Sequence, residues 1–251
     1  MIDIHTHLLP GVDDGSPSPE VSIPVLERFQ SDGVQIVVCT PHLDASRAAH
    51  APYERHLEVL AALRARASAS PELRLGWEIM LDAPGVDLRD QRFSLGGSTA
   101  VLVEFPRMMV PPSASEELFR LRMSGVVPVL AHPERYWGCT ASRVEEWRRV
   151  GAVIQMDVAG IFASGPQAAL AAAMLEQGLV DLLASDTHGD NRALLPARQW
   201  LLEIGAVEAA DLLTRRNAAH LLADQPMEAV PPIERRRGMF GRLKELLLGT
   251  R

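Results

Sequence analysis

The chain opens Met1-Ile2-Asp3-Ile4-His5-Thr6-His7-Leu8-Leu9-Pro10-Gly11-Val12-Asp13-Asp14-Gly15, and this stretch decides the fold. An apolar run leads directly into an HxH pair. Successive side chains of a strand alternate faces, so His5 and His7 point one way while Ile4 and Thr6 point the other. Two imidazoles on one face suit a metal ion, although a lone HxH is equally explained by two buried, hydrogen-bonded histidines. Four more polar clusters follow apolar runs: Thr40-Pro41-His42, Glu78, Ala131-His132-Pro133-Glu134-Arg135 and Ser185-Asp186-Thr187-His188. Core packing does not place polar groups at the ends of so many apolar runs, and the set reads as one polynuclear site.

Outward from that start, strand-like and helix-like stretches alternate. Strands are expected near Ile2 to His5, Gln35 to Cys39, Leu73 to Trp77, Ala100 to Glu104, Val127 to Ala131, Ala152 to Gln155 and Leu182 to Ala184. Helices are expected over Pro19 to Gln30, Tyr53 to Ala69, Ala114 to Met123, Ser142 to Arg149, Pro166 to Gln177, Pro196 to Leu202 and Val207 to Leu222, with Ser113, Ser142 and Pro166 as helix starts. Such alternation predicts an α/β fold with parallel strands and helices outside. Polar residues gathered at strand C-terminal ends predict a barrel with its site on that face, with an open doubly wound sheet as the alternative.

Composition narrows the function. At 251 residues and 47% hydrophobic content the chain fits one catalytic domain. A formal charge of −7 excludes a general nucleic-acid binder. If Asp14, Glu78, Glu104 and Asp186 are ligands, three bound divalent ions would bring that total to about −1, so much of the acidity would be that of a metal site and need not describe the surface. The two cysteines, Cys39 and Cys139, and the lack of an N-terminal signal segment fit a reducing cytoplasm. No apolar run is long enough to cross a bilayer. Imidazole mixed with carboxylate suits manganese, iron or zinc better than calcium.

These residues carry a family resemblance. The chain resembles the PHP (polymerase and histidinol phosphatase) superfamily, and within it the bacterial PHP-type protein-tyrosine phosphatases of capsular and exopolysaccharide synthesis. The opening fifteen residues, Cys39-Thr40-Pro41-His42, Gly76-Trp77-Glu78-Ile79, Leu102-Val103-Glu104-Phe105-Pro106, Ala131-His132-Pro133-Glu134-Arg135-Tyr136 and Ser185-Asp186-Thr187-His188 are similar in order and spacing, over Met1 to about Leu222.

The resemblance implies a distorted (β/α)₇ TIM-like barrel of the PHP type, with three divalent ions, foremost Mn²⁺. One ion would take His5, His7, Glu78 and Asp186. A second would share Glu78 and add Glu104 and His132, and the third would take Asp14, His42 and His188. Asp13 would support the loop or a ligand. Water activated by the metals would attack phosphorus, with Arg135 and Arg192 as candidates for the non-bridging phosphate oxygens, since a guanidinium offers a two-pronged donor. The competing role for Arg135 is a salt bridge at the barrel rim with Glu134 or another acid. Arg192 lies in Gly189-Asp190-Asn191-Arg192, which is one residue shorter than the family's usual stretch. The implied substrate is phosphotyrosine on a protein, in particular a membrane-associated bacterial tyrosine kinase, with histidinol phosphate or another small phosphoester as the alternative.

Other chemistries fit less well. Cysteine-dependent phosphatases need Cx₅R, but Ala45 and Glu145 stand six residues after Cys39 and Cys139. An amidohydrolase would bring a strand lysine, whereas the only lysine is Lys244. A non-enzymatic scaffold would be expected to have lost ligands, and all nine positions are filled. His50, His56 and His220 read as solvated residues. The domain is expected to span 1–225, followed over 226–251 by a Pro-containing linker and a basic tail, in which Met239, Phe240, Leu243, Leu246 and Leu247 recur at amphipathic spacing. That tail would dock on the acidic barrel or on a neighbouring subunit of a homo-oligomer, or rest on an anionic membrane.

Overall fold

Nine short strands and nine α-helices make up the regular structure of a computed structural model that describes residues 1–67, 69, 71–106 and 109–233. The strands are β1 (Ile2–Thr6), β2 (Ile36–Cys39), β3 (His42–Asp44), β4 (Glu72–Leu75), β5 (Glu78–Met80), β6 (Ala100–Glu104), β7 (Val127–Leu130), β8 (Val153–Asp157) and β9 (Leu182–Ala184). Every pairing is parallel, giving two sheets in the orders β1-β2-β4 and β3-β5-β6-β7-β8-β9. Parallel strands need covered faces, and the helices supply the cover.

The sheets are in contact at two places. Chain connectivity carries β2 through Thr40-Pro41 into β3 and β4 through Gly76-Trp77 into β5, where Gly76 N donates to Cys39 O and Glu78 N to Pro41 O. Beyond β9, Asp186 N donates to His5 O and His7 N to Thr187 O, which ties the last strand back to the first.

Alternation then sorts the side chains. Ala100, Leu102 and Glu104 share one face of β6, and Val153, Gln155 and Asp157 share one face of β8. The apolar members of these faces, with Val129, Ala131, Leu182 and Ala184, form a small separate hydrophobic cluster. Opposite them Val101, Val103, Leu130, Ile154, Met156 and Leu183 enter the larger core against the helices. The polar residues that end each inward face therefore sit on an apolar floor.

The helices are α1 (Pro19–Ser31), α2 (Tyr53–Arg66), α3 (Ala114–Met123), α4 (Ala141–Arg149), α5 (Val158–Phe162), α6 (Gly165–Glu176), α7 (Leu194–Glu203), α8 (Val207–Asp211) and α9 (Asn217–Leu222). Several expectations are corrected. Thr140, not Ser142, caps α4 by accepting from Arg143 N. The helix expected over Val207 to Leu222 contains a π turn at Leu212–Arg216 between α8 and α9. Strands β3 and β5 and helix α5 were not expected, because three- and five-residue elements are too short to show a period.

Residues 226–233 pack on the body: Val230 and Ile233 are buried, Ile233 N donates to Leu175 O, and Asn217 exchanges two hydrogen bonds with the backbone of Glu228. Gly178, at φ +64, lets this segment pass, because a Cβ there would lie 2.8 Å from Val230 O. The basic amphipathic segment that follows lies outside the described residues. No described helix is long and apolar enough to cross a membrane.

Candidate metal centre

All nine residues proposed as ligands converge at the strand ends. His5 Nε2 and His7 Nε2 stand 3.2 Å apart, so the HxH pair does face one way. Each lies 3.2 Å from Glu78 Oε2 and 3.3 Å from Asp186 Oδ1. His5, His7 and Asp186 thus offer three donor atoms to one position, and His5 and Glu78 offer theirs with His132 to a neighbouring one. Around this nucleus His132 Nε2 is 2.7 Å from Glu78 Oε1 and 3.9 Å from Glu104 Oε2. His42 Nδ1 is 3.1 Å from Glu78 Oε2, and His42 Nε2 and His188 Nε2 are 3.3 and 3.5 Å from Asp14 Oδ1.

Four overlapping donor groups result: His5, His7 and Asp186; His5, Glu78 and His132; His42, Glu78 and Glu104; and His7, Asp14, His42 and His188. They differ from the expected partition: Glu78 groups with His5 and His132 and not with His7 and Asp186, and Glu104 groups with His42 and not with His132. His7 also reaches the group around Asp14, and His42 also reaches Glu78 and Glu104. The interior donors are buried, while His42 and Asp14 are 40% and 70% exposed, so the centre opens to solvent on their side.

Electrostatics favour a cation. Burial disfavours charge on His5, yet Glu78 and Asp186 hold its pKa up at about 9. For His7 burial is likewise outweighed, by hydrogen bonds to Asp13, Asp186 and Glu78. Burial pushes Glu78 and Asp186 upward, but the histidines draw both well below the usual carboxylate range. Glu104 is raised by burial and by neighbouring Glu78. A pocket that prefers protonated histidines despite burial will prefer a divalent ion more strongly.

Supporting residues fix the donors. His5 Nδ1 lies 3.0 Å from Gln155 Oε1 and His7 Nδ1 lies 2.7 Å from Asp13 Oδ2, which leaves each Nε2 lone pair for the centre. Asp13 therefore has its expected supporting role, whereas Gln155 was not expected. Asp3, fully buried with its pKa raised to about 6 by burial, accepts from Ser185 N. His132 and Asp186 adopt left-handed backbone conformations at φ 34° and 48°, uncommon for non-glycine residues and concentrated at functional sites.

Both candidate arginines reach this centre. Arg135 Nη1 donates to Asp186 Oδ2 at 2.8 Å and to Asp157 Oδ2 at 3.1 Å. Its salt bridges are therefore to these two acids and not to Glu134, whose pKa burial and Asp157 raise well above normal and whose Oε1 accepts from Asp157 N. Arg192 donates through Nε to Asp190, through Nη1 to Asp186 and through Nη2 toward His188 Nδ1, at 2.8, 3.0 and 2.9 Å. The shortened loop thus does not withdraw Arg192 from the site. Asp157 was overlooked, although Gln155-Met156-Asp157 ends an apolar strand with the same alternation as the HxH pair.

The cysteines stand apart from this chemistry. Burial pushes the Cys39 thiol up to about 12 and that of Cys139 to about 11, so neither is a thiolate at neutral pH. Changing both to serine should leave turnover of a phosphoester within about two-fold of the parent, with some loss of stability from buried Cys39. A collapse of kcat in a folded double variant would restore cysteine chemistry. His56 departs from the solvated reading, being buried against Trp77 with ring centroids 4.7 Å apart.

Comparisons with known proteins agree with this geometry. The family profile described as capsular polysaccharide synthesis, CpsB/CapC, matches residues 1–223. The chain is 28% identical to tyrosine-protein phosphatase YwqE of Bacillus subtilis, over 96% of this chain and 99% of that protein. It is also 28% identical to tyrosine-protein phosphatase CpsB of Streptococcus pneumoniae, over 92% and 98% of the two chains. Among solved structures it superposes with a TM-score of 0.77 at 26% identity, covering 94% of this chain and 100% of the other, on a chain from the crystal structures of YwqE and CpsB, described as unique metal-dependent tyrosine phosphatases. The chain therefore belongs to the CpsB/CapC family of capsular polysaccharide synthesis.

Proposed function

We propose that this chain is a metal-dependent protein-tyrosine phosphatase that hydrolyses phosphotyrosine on a bacterial tyrosine kinase controlling capsular or exopolysaccharide synthesis. The observation that carries the reading is the convergence of nine histidine and carboxylate side chains from β1, β3, β5 and β6 and from the loops after β1, β7 and β9, with two arginines beside them. Family membership and the similarity to YwqE and CpsB support the same activity. The donor set fits three divalent ions, foremost Mn²⁺ with Fe or Zn as alternatives, because a shared Glu78 can serve two neighbouring positions. Bound ions supply Lewis acidity and a deprotonated water nucleophile for phosphomonoester hydrolysis.

The chain's own residues do the rest. Glu78, Asp186, His5 and His7 hold the buried donors together, and Glu104, His132, Asp14, His42 and His188 extend the centre toward solvent. Arg135 and Arg192 receive the non-bridging oxygens of the phosphoryl group, as each uses only part of its donor fork on carboxylates and histidine. Tyrosine leaves as a phenolate whose conjugate acid has a pKa of about 10, so no strong general acid is required. A distorted (β/α)₇ barrel is supported by the hydrogen bonds from β1 to the segment after β9 and by the apolar cluster under the site. We place the barrel at 1–225, the basic segment within 226–251 as a docking or membrane-contact tail, and the enzyme in the cytoplasm, acting on a membrane-associated partner as a monomer or homo-oligomer.

Steady-state kinetics on a phosphotyrosyl peptide and on histidinol phosphate, run side by side with and without a chelator, test the reading. The peptide should show a kcat/KM at least about ten-fold higher, abolished by the chelator. Preference for histidinol phosphate would replace the substrate assignment with the small-molecule alternative.

A further inference from the structure

The loop that carries His188 and Arg192 from β9 to α7 leans on α1. Gly189 adopts φ +87°, and a Cβ there would lie 2.7 Å from the side chain of Val21 in α1. Two turns further along the helix, Arg28 reaches across 162 or more residues of sequence to the same loop. Its Nη2 donates to Asp190 O at 2.9 Å and to Arg192 O at 3.3 Å, while Nη1 donates to Asn191 Oδ1 at 3.2 Å. Inside the loop, Asp190 accepts from Arg192 N at 2.9 Å and from Arg192 Nε at 2.8 Å. Asp190 thus orients the Arg192 guanidinium relative to the loop, and Arg28 fixes the loop relative to α1.

We propose that Arg28 is a positioning residue that holds the 189–192 loop so that Arg192 presents its guanidinium to the phosphoryl group. The proposal rests on the phosphatase reading for the identity of that group. Two backbone carbonyls and one side-chain oxygen converge on one planar fork, a geometry that an ammonium cannot reproduce. The carbonyls belong to Asp190 and Arg192 themselves, so the clamp acts on the backbone that bears the site residue. Arg28 touches none of the nine donors, and its effect must pass through the loop.

A double-mutant cycle of Arg28→Ala and Arg192→Ala, read by kinetics on a phosphotyrosyl peptide and by trypsin cleavage after Arg192 followed by mass spectrometry, tests this. In the parent, Arg28→Ala should lower kcat/KM about ten-fold, chiefly through KM, with the thermal midpoint shifted by only a few degrees. In the Arg192→Ala background the same change should cost less than about two-fold. Arg28→Lys should recover only part of the loss, and cleavage after Arg192 should be about ten-fold faster in Arg28→Ala than in the parent. Equal losses in both backgrounds, or an unchanged kcat/KM, would overturn the proposal. If the parent hydrolyses no phosphomonoester, the phosphatase reading fails, and the trypsin rates alone decide whether Arg28 clamps the loop: an unchanged rate overturns the clamp.

Discussion

Glu78→Gln should lower kcat on a phosphotyrosyl peptide by at least about a thousand-fold and strip the protein of bound metal. Glu78 is the hub of the centre, with Oε2 at 3.2 Å from both His5 and His7 and 3.1 Å from His42, and Oε1 at 2.7 Å from His132. The amide keeps the shape but loses the charge and turns an NH₂ toward one set of histidines. Where a carboxylate drew protons or cations, a donor now meets imidazole nitrogens. Metal content by mass spectrometry and kinetics on the same preparation check this, with circular dichroism showing that the fold persists. Full activity in a folded Glu78→Gln variant would remove Glu78 from the ligands.

Arg135→Lys should lower kcat/KM about a hundred-fold while leaving metal content near the parent's. The Arg135 side chain is 32% exposed, and one of its nitrogens bonds both Asp157 and Asp186. Burial opposes its charge, but those carboxylates raise its pKa still further, so the guanidinium stays charged at every pH the enzyme meets. Lysine restores the charge without the planar fork, so the variant separates point electrostatics from two-pronged phosphate recognition. The split between unchanged metal content and lost kcat/KM distinguishes this residue from the donors. Wild-type kinetics in Arg135→Lys would remove it from the site.

Much of the site was legible because its donors obey strand geometry. His5 and His7 follow the period of two, and Glu104 and Asp186 stand at or just past the ends of runs whose apolar residues share their face. What the sequence hid is of two kinds. Strands β3 and β5 are three residues long and begin at His42 and Glu78 themselves, after Pro41 and Gly76-Trp77, so the donors read as loop residues. Contacts between distant segments leave no local trace: Gln155 against His5 spans 150 residues, and Arg28 against the 190–192 loop spans more. The left-handed backbones of His132 and Asp186 likewise have no signature of the kind glycine provides.

The nine converging side chains should hold the divalent ions on which phosphoester hydrolysis depends. Metal removal by a chelator, followed by stepwise return of Mn²⁺ with metal counted per chain against turnover of a phosphotyrosyl peptide, tests it most directly. Turnover should fall to background in the stripped protein and rise in step with bound metal, saturating at about three ions per chain. Full turnover in protein holding less than about a tenth of an ion per chain would contradict it.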